Sequence, residues 1–227
     1  MNNRYEIKIP LNNKHFLNYK NWLITLKGLF QTYDDRWVEN IYYDNFQLSC
    51  ALDNLAGIAN RSKFRLRWYV KNKSQSNCFI EIKKREGRIG TKEVISTNKQ
   101  VDLIDIKNVF SVTSPYLAKH FQNKKIPNTI IAQKILPTLQ VKYERSYFLY
   151  ENLVRVTFDK PPIFKSLINE ESEKKDWFAD SLSVLEIKFD PKNLDLAKKL
   201  IHAMPFVPKR HSKYLRGLYC CNEAVYF

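Results

Sequence analysis

Glycine, cysteine and long apolar stretches are scarce in this sequence. It contains 5 glycines, 9 prolines and 4 cysteines among 227 residues. So few glycines and prolines exclude a collagen-like or low-complexity chain, and no stretch approaches the roughly 18 uninterrupted apolar residues of a membrane-spanning helix. The first residues are polar and charged and lack the apolar core of a secretory signal. We therefore expect a cytoplasmic protein.

Acidic residues are also in the minority. The 38 lysines and arginines oppose 23 aspartates and glutamates, which gives a formal net charge of +15. Such an excess suggests a polyanionic partner, which could be nucleic acid, an anionic membrane or phosphates. The cysteines form no CxxC pair and no disulfide framework, so we expect them to be reduced. With 44% hydrophobic residues the chain can bury a core, and its length predicts a single domain over residues 1–227.

Charged and apolar residues alternate along several segments, as they do in β-strands with one charged face. In the clearest segment, Lys63, Arg65 and Arg67 share one face, while Phe64 and Leu66 share the other. The same pattern predicts strands at 4–9, 63–70, 80–83, 141–148, 154–159 and 185–189, with weaker candidates at 38–43 and 91–96.

Helical periodicity appears between these strands. Asn13 is a plausible N-cap for the first helix, and Gly57 is placed to end the second. The pattern predicts helices at 13–30, 45–55, 101–110, 115–122, 193–203 and 212–221, and an exposed loop at 169–175.

An alternating strand usually exposes its charged face to water. Here six strands carry arginine or lysine at matching places, and a closed barrel explains this better if the charged faces point inward. We therefore predict an α+β fold, a closed antiparallel β-barrel tunnel with a charged interior, flanked by α-helices. Like charges 4 Å apart repel by about 4 kcal/mol even at a dielectric constant of about 20, so the tunnel must hold water and an anion. Linear polyphosphate suits such a tunnel, since guanidinium groups match phosphate oxygens.

Eight short motifs follow one another along nearly the whole chain. They lie at 4–8, 41–44, 63–69, 81–83, 143–145, 155–159, 185–188 and 212–214. In this order they resemble the VTC domain, the polyphosphate polymerase branch of the triphosphate tunnel metalloenzymes. The related CYTH branch, which includes triphosphatases and adenylate cyclases, carries Glu-x-Glu-x-Lys in its first strand. This chain has Arg4, Glu6 and Lys8 at those positions, which favours the polymerase branch.

The resemblance implies an enzyme that transfers the terminal phosphoryl group of ATP to a growing polyphosphate chain, with Mn²⁺ or Mg²⁺ as cofactor. Arg65, Arg67, Lys83 and Lys188 would clamp the transferring phosphates, and Glu186 would coordinate the metal. The other matching cations would line the rest of the tunnel: Arg4, Lys8, Lys92, Arg145, Arg155 and Lys213. The partners implied are ATP and polyphosphate, with no nucleic acid. Coupling of synthesis to transport would need a separate membrane protein.

Several alternatives stay open. Glu186 could instead pair with a neighbouring cation, and a hard metal ion would then bind the other inward carboxylates, Glu6, Glu81 or Asp159. The protein could hydrolyse triphosphates, or it could be a non-catalytic module that binds polyphosphate or nucleic acid. The segment 87–92 lacks the spacing of a phosphate-binding loop, and the four histidines lack zinc spacing, although His211 could act at a tunnel mouth.

Overall fold

The computed structural model describes residues 4–70, 76–87, 89–101, 135–168 and 176–223. Ten antiparallel strands form one sheet, and four α-helices belong to the same part of the chain, which confirms an α+β fold. None of these helices is long and apolar enough to cross a membrane. The strands are β1 (Tyr5–Leu11), β2 (Leu29–Asp44), β3 (Arg61–Val70), β4 (Ser76–Glu86), β5 (Ile89–Val101), β6 (Leu136–Tyr150), β7 (Val154–Asp159), β8 (Ile163–Ser166), β9 (Phe178–Ala179) and β10 (Ser183–Phe189). The helices are α1 (Asn13–Thr25), α2 (Ser49–Ala56), α3 (Leu194–His202) and α4 (Lys213–Cys220).

The sheet is open in its hydrogen bonding but strongly curved. Its strands pair in the order β1-β10-β7-β6-β2-β3-β4-β5, and among the described residues no pairing joins β1 to β5. The closed barrel that we expected is therefore not established by hydrogen bonds. Lys83 Nζ in β4 nevertheless lies 3.0 Å from Glu6 Oε2 in β1. Five strands separate the two in the sheet order, a distance of about 29 Å in a flat sheet at about 4.8 Å per strand.

This ion pair shows that the side bearing Glu6 and Lys83 is concave, and we call it the charged face. The strand alternation sends apolar side chains to the convex side, where helices cover them. Ile9, Val156 and Leu185 pack there with residues of α1 and α3. Phe64 and Leu66 pack with Cys50 of α2. Helices α1, α2 and α3 thus bury the apolar side of the sheet.

Helix α4 is different, because it packs on one end of the charged face. Its Tyr214 ring stacks on Tyr42, with centroids 5.0 Å apart, and Tyr42 is the direct partner of Arg65 across β2 and β3. Gly217 permits this approach, since a Cβ there would lie 2.4 Å from Leu139 Cδ2 and 2.7 Å from the Phe164 ring. A glycine that weakens an isolated helix is therefore required by packing.

Several element boundaries differ from those expected. Helix α1 ends at Thr25 rather than at residue 30, because Gly28 adopts a left-handed φ of 84° and β2 begins at Leu29. Strand β2 is consequently much longer than 38–43. Helix α2 begins at residue 49 rather than 45 and ends before Gly57, whose φ of 74° confirms it as the C-cap. The helices expected at 101–110 and 115–122 and the loop at 169–175 lie outside the described residues, apart from Val101, which ends β5.

Candidate functional site: the charged face

The strand register places most of the predicted site residues on the charged face. Residues directly opposite each other in neighbouring strands project to the same side. Lys8 is paired with Glu186, Lys188 with Arg155, and Lys83 with Lys92. The cations that this face brings together are Lys8, Arg65, Arg67, Lys83, Lys92, Arg145, Arg155 and Lys188, with Lys213 added from α4.

Asp159 forms the most tightly bonded cluster on this face, with Arg145 and Lys213. Arg145 donates two hydrogen bonds to the Asp159 carboxylate, at 2.5 and 2.8 Å, and Lys213 Nζ lies 2.5 Å from Oδ2. Burial alone would raise the pKa of Asp159, but these two cations lower it to about 2. We call this group the Asp159 cluster. Its carboxylate is completely buried, so it acts as an internal counterion that fixes the two cations.

Glu81 organises a second group of cations on β3 and β5. It forms an ion pair with Arg65 and another, at 2.5 Å, with Lys92. Arg67 Nη1 lies 3.7 Å from the same carboxylate, and its other nitrogens donate to Asn40 Oδ1 at 2.8 Å and to Tyr143 Oη at 3.1 Å. Burial would raise the pKa of Glu81, but Arg65, Arg67 and Lys92 hold it far below its usual value. The carboxylate thereby holds the guanidinium groups in place.

Glu6 and Glu186 are less tightly held. Glu186 lies 3.1 Å from Lys188 Nζ and 3.6 Å from Arg145 Nη2, and Glu6 lies 3.0 Å from both Lys8 and Lys83. The two carboxyl groups are neighbours within hydrogen-bonding reach of each other. Burial would raise the pKa of Glu186, yet Lys188 and Lys8 keep it well below its usual value. We call Glu6 and Glu186 the carboxylate pair.

The carboxylate pair is the group on this face that fits a divalent cation best. No set of three or more histidine, cysteine or acidic side chains in the described ranges could hold a metal ion alone. Mg²⁺, however, is commonly bound by one or two carboxylates together with substrate phosphates. Two ionised carboxylates side by side repel each other, and a cation between them would relieve that repulsion. The residues therefore suit a metal that arrives with a phosphate ligand.

Lys63 was not among the predicted site residues, although it alternates in phase with Arg65 and Arg67. Its Nζ donates to Ser212 Oγ at 3.1 Å, at the start of α4. Burial, followed by the positive charges of Lys8 and Lys83, lowers the pKa of Lys63 to about 7. No carboxylate within the described part of the chain forms an ion pair with it. The Lys63 amine of the charged face therefore changes its charge near neutral pH.

Besides Lys213 of α4, Arg4 and His211 are the predicted candidates that do not lie on a strand of this face. Arg4 precedes β1, and both it and Arg155 are exposed, with no ion pair to any described residue. His211 lies near α4, where its backbone oxygen is 3.5 Å from Lys8 Nζ. Burial and the nearby Lys213 and Lys8 lower the pKa of His211 to about 3. The imidazole is therefore neutral at physiological pH.

Comparison with known proteins identifies the family. Residues 3–222 match the family model of the VTC domain. The chain belongs to the VTC domain family. This confirms the resemblance that the ordered motifs indicated. No curated protein matches the sequence of this VTC domain.

Three solved structures are similar to this VTC domain at low sequence identity. A protein of Pyrococcus horikoshii OT3 is 13% identical, with 95% of this chain and 98% of that chain covered and a TM-score of 0.50. An adenylate cyclase candidate from Vibrio parahaemolyticus is 11% identical, with coverages of 94% and 96% and a TM-score of 0.48. An adenylyl cyclase candidate from Hippeastrum with a dominant triphosphatase activity is 13% identical, with coverages of 94% and 93% and a TM-score of 0.47. The similarity to the Pyrococcus protein concerns the fold alone.

Proposed function

We propose that this VTC domain is a polyphosphate polymerase, which transfers the terminal phosphoryl group of ATP to a growing polyphosphate chain. The observation that supports this most is the convergence of cations from many strands on a concave face. The curvature that brings Lys83 to Glu6 makes this face concave, as the wall of the proposed tunnel would be. A row of fixed cations matches a linear polyanion, whose charges follow one another in one dimension.

In the proposed reaction, an oxygen of the terminal phosphate of the chain attacks the γ-phosphorus of ATP. The bond from the γ-phosphorus to the β,γ-bridging oxygen breaks, its electron pair stays on that oxygen, and ADP leaves. The transition state of such a transfer is loose, so in-line positioning and charge neutralisation provide most of the catalysis. Arg65, Arg67, Lys83 and Lys188 would contact the transferring phosphates. The tunnel beyond them would be lined by Arg4, Lys8, Lys92, Arg145, Arg155 and Lys213.

A divalent cation, Mn²⁺ or Mg²⁺, would be held by Glu186 with Glu6 as its neighbour. When bound, it would add positive charge where the phosphates meet. The ion pairs of Glu186, with Lys188 Nζ at 3.1 Å and Arg145 Nη2 at 3.6 Å, are longer than those of Asp159, which are 2.5 Å. This supports Glu186 over Asp159, whose carboxylate is fully engaged by two cations.

The first strand favours transfer over hydrolysis. Arg4 stands where the triphosphatase and cyclase branch carries the first glutamate of its Glu-x-Glu-x-Lys motif. An arginine there removes one carboxylate from the metal-binding strand and adds a cation for the phosphate chain. Polymer binding would benefit from this exchange.

One incubation tests the proposal. The protein is mixed with ATP and Mn²⁺, and the products are divided between a gel stained for polyphosphate and an assay of free phosphate. We expect stained chains that lengthen with time and a matching amount of ADP. Release of phosphate without chains would indicate a tunnel hydrolase, and neither product together with retained tripolyphosphate binding would indicate a binding module.

The proposed partners are tested by competition. Because the site is built from cations, tripolyphosphate should displace bound polyphosphate far better than adenosine does. Single-stranded DNA that bound much more tightly than polyphosphate at the same salt concentration would favour a nucleic-acid binder instead.

A further inference from the structure

An aromatic group with an arginine lies on the charged face, outside the carboxyl and phosphate machinery. Tyr33 in β2 and Tyr147 in β6 meet edge to face, with ring centroids 5.8 Å apart. The Arg36 guanidinium lies 4.8 Å from the Tyr33 ring and 5.7 Å from the Tyr147 ring. Within the part of the chain that the structure describes, Arg36 forms no ion pair with a carboxylate. Tyr33 is 56% exposed, so its ring is accessible.

The strand register connects this group directly to the carboxylate pair. Tyr33 pairs with Tyr147, Tyr147 with Thr157, and Thr157 with Glu186. These four residues form one row across the sheet. At about 4.8 Å per strand, Tyr147 is at most about 10 Å from Glu186 along this row, and Tyr33 about 14 Å. A nucleoside triphosphate whose terminal phosphate lies at Glu186 would span such a row from phosphate to base.

The residues between the two ends of the row carry hydroxyl groups without partners. Tyr147 Oη and Thr157 Oγ1 are buried and form no hydrogen bond to any described residue. Buried hydroxyls are normally paired, so two of them adjacent on a concave face point to a polar ligand. Burial raises the pKa of Tyr147 to about 12. Its hydroxyl thus remains a hydrogen-bond donor at neutral pH.

We propose that Tyr33, Arg36 and Tyr147 form a nucleoside subsite, in which the base of the nucleotide donor stacks on the Tyr33 and Arg36 side chains. This inference rests on the proposed function, because it takes the triphosphate to lie along the charged face. The Thr157 and Tyr147 hydroxyls then face the ribose or the first phosphate. Aromatic rings and guanidinium planes stack on any base, and the neighbouring Gln31 amide already donates to the Tyr33 backbone oxygen and to Asp35 Oδ1. The subsite therefore contributes affinity for nucleotides without strong preference among bases.

The subsite also fixes the direction of the bound nucleotide. With the base at Tyr33, the terminal phosphate points along the row toward Glu186 and Lys8. The acceptor chain then approaches from the opposite side, where Lys63, Lys213 and the start of α4 lie. Donor and acceptor would thus meet near the carboxylate pair from different ends of the charged face.

Calorimetric titration of ATP, GTP and tripolyphosphate, at one salt and Mn²⁺ concentration, tests the subsite. The variants are Tyr33→Ala, Arg36→Ala and Tyr33→Phe, all checked for unchanged thermal unfolding. We expect Tyr33→Ala to weaken ATP and GTP binding roughly tenfold and to leave tripolyphosphate binding within about twofold. Tyr33→Phe should restore nucleotide binding. Tyr219→Ala is the matched control, since Tyr219 is also exposed beside an arginine, Arg216, but lies on α4.

The outcomes separate this inference from the proposed function. Equal losses for ATP and tripolyphosphate, or unchanged ATP binding in both alanine variants, would overturn the subsite. Loss of single-stranded DNA binding with unchanged ATP binding would also overturn it, in favour of a nucleic-acid contact. The titrations need no turnover. A selective loss of nucleotide affinity in a protein that makes no polyphosphate would thus support the subsite and reject the polymerase. Polyphosphate synthesis by the wild type, with unchanged nucleotide affinity in the alanine variants, would support the polymerase and reject the subsite.

Discussion

The Asp159 cluster and the carboxylate pair lie on the same charged face, yet they hold their carboxylates differently. Asp159 is completely buried and receives three short hydrogen bonds from Arg145 and Lys213. Glu186 is 6% exposed, with its two cations at 3.1 and 3.6 Å and a second carboxylate, Glu6, beside it. Both carboxylates have lowered pKa values, so both are ionised at neutral pH.

The difference indicates two tasks for the same chemical group. A carboxylate that already accepts three hydrogen bonds from cations inside the wall holds those cations in place and has little capacity left for a metal ion. A carboxylate with longer ion pairs and a like-charged neighbour gains from an added divalent cation. We therefore assign Asp159 to the structure of the wall and propose Glu186 for the metal. Substitution of Asp159 should therefore mainly affect folding, and substitution of Glu186 should mainly affect turnover.

The largest expected effect is on the folding of Asp159→Asn. The substitution removes the buried counterion that Arg145 and Lys213 share and leaves Arg145 only its longer pair with Glu186, which should lower the free energy of unfolding by about 3–5 kcal/mol. Urea denaturation measures this directly. Glu144→Gln is the control, because its pair with Lys160 is on the surface and should matter by less than about 1 kcal/mol. A variant that was fully stable but had lost Mn²⁺ binding would reverse the two assignments.

The next effect concerns turnover in Glu186→Gln, which keeps the size of the side chain and removes its charge. We expect a fall of about a hundredfold or more, typical of the loss of one electrostatic stabiliser, because a metal ligand acts mainly in the transition state. Tripolyphosphate binding without metal should be preserved or become tighter as a negative charge leaves the charged face. Wild-type turnover across a Mn²⁺ titration would instead make Glu186 an ion-pair residue and transfer the metal to Glu6 or Glu81.

Arg67→Ala should weaken both binding and turnover, since its guanidinium would contact phosphate before and during transfer. We expect each to fall roughly tenfold, in line with the loss of a charged hydrogen bond. Arg67→Lys should recover part of the binding, because lysine keeps the charge but lacks the planar fork. If turnover fell a hundredfold while tripolyphosphate affinity was unchanged, Arg67 would act only in the transition state, as proposed for Glu186.

The smallest expected effect is on the pH dependence of tripolyphosphate binding, to which Lys63 should contribute. In the free protein, burial, followed by the positive charges of Lys8, Lys83, Arg61 and Arg65, lowers the pKa of the Lys63 amine to about 7. Its hydrogen-bond partner Ser212 carries no charge. A phosphate ligand favours the protonated amine, so binding above pH 7 should take up a proton. Tripolyphosphate affinity should then fall severalfold more between pH 7 and pH 9 in the wild type than in Lys63→Arg.

Titrations at pH 8 in two buffers with different ionisation enthalpies measure this proton uptake. Protonation of tripolyphosphate itself is common to both proteins and cancels in the comparison. Equal proton uptake by wild type and Lys63→Arg would exclude Lys63 as its source. The same lowered pKa affects folding. Between pH 7 and about 10.4 the unfolded chain binds more protons at this residue, so the contribution of Lys63 to the stability of the ligand-free protein should rise with pH.

The sequence alone indicated the pattern of the sheet, because alternation is a local property of each strand. Lys63, Arg65 and Arg67 could be placed on one face from spacing alone, and so could Glu186 and Lys188. The ion-pair partners of those residues could not be predicted from spacing. Glu6, Glu81, Asp159 and Glu186 all alternate toward the charged face, and only the three-dimensional arrangement shows that Asp159 is saturated while Glu186 is not.

The sequence did not predict the group formed by Tyr33, Arg36 and Tyr147, for a different reason. Strand β2 shifts register between Gln31 and Tyr33 and again between Tyr33 and Arg36, so strict alternation would not bring Tyr33 and Arg36 to the same face. Such irregularities depend on the partner strand, β6. The contact between Lys83 and Glu6 likewise depends on the curvature of the whole sheet, which no local pattern reports.

The position at which the metal and the phosphate meet decides between Glu186 and Asp159. Crystals soaked with tripolyphosphate and Mn²⁺ would show the ion directly as an anomalous scattering peak. We predict a single strong peak bonded to a Glu186 carboxylate oxygen and to phosphate oxygens, with the phosphates lying between Arg65, Arg67, Lys83 and Lys188. A peak on Asp159, or phosphates bound away from the charged face, would contradict the assignment.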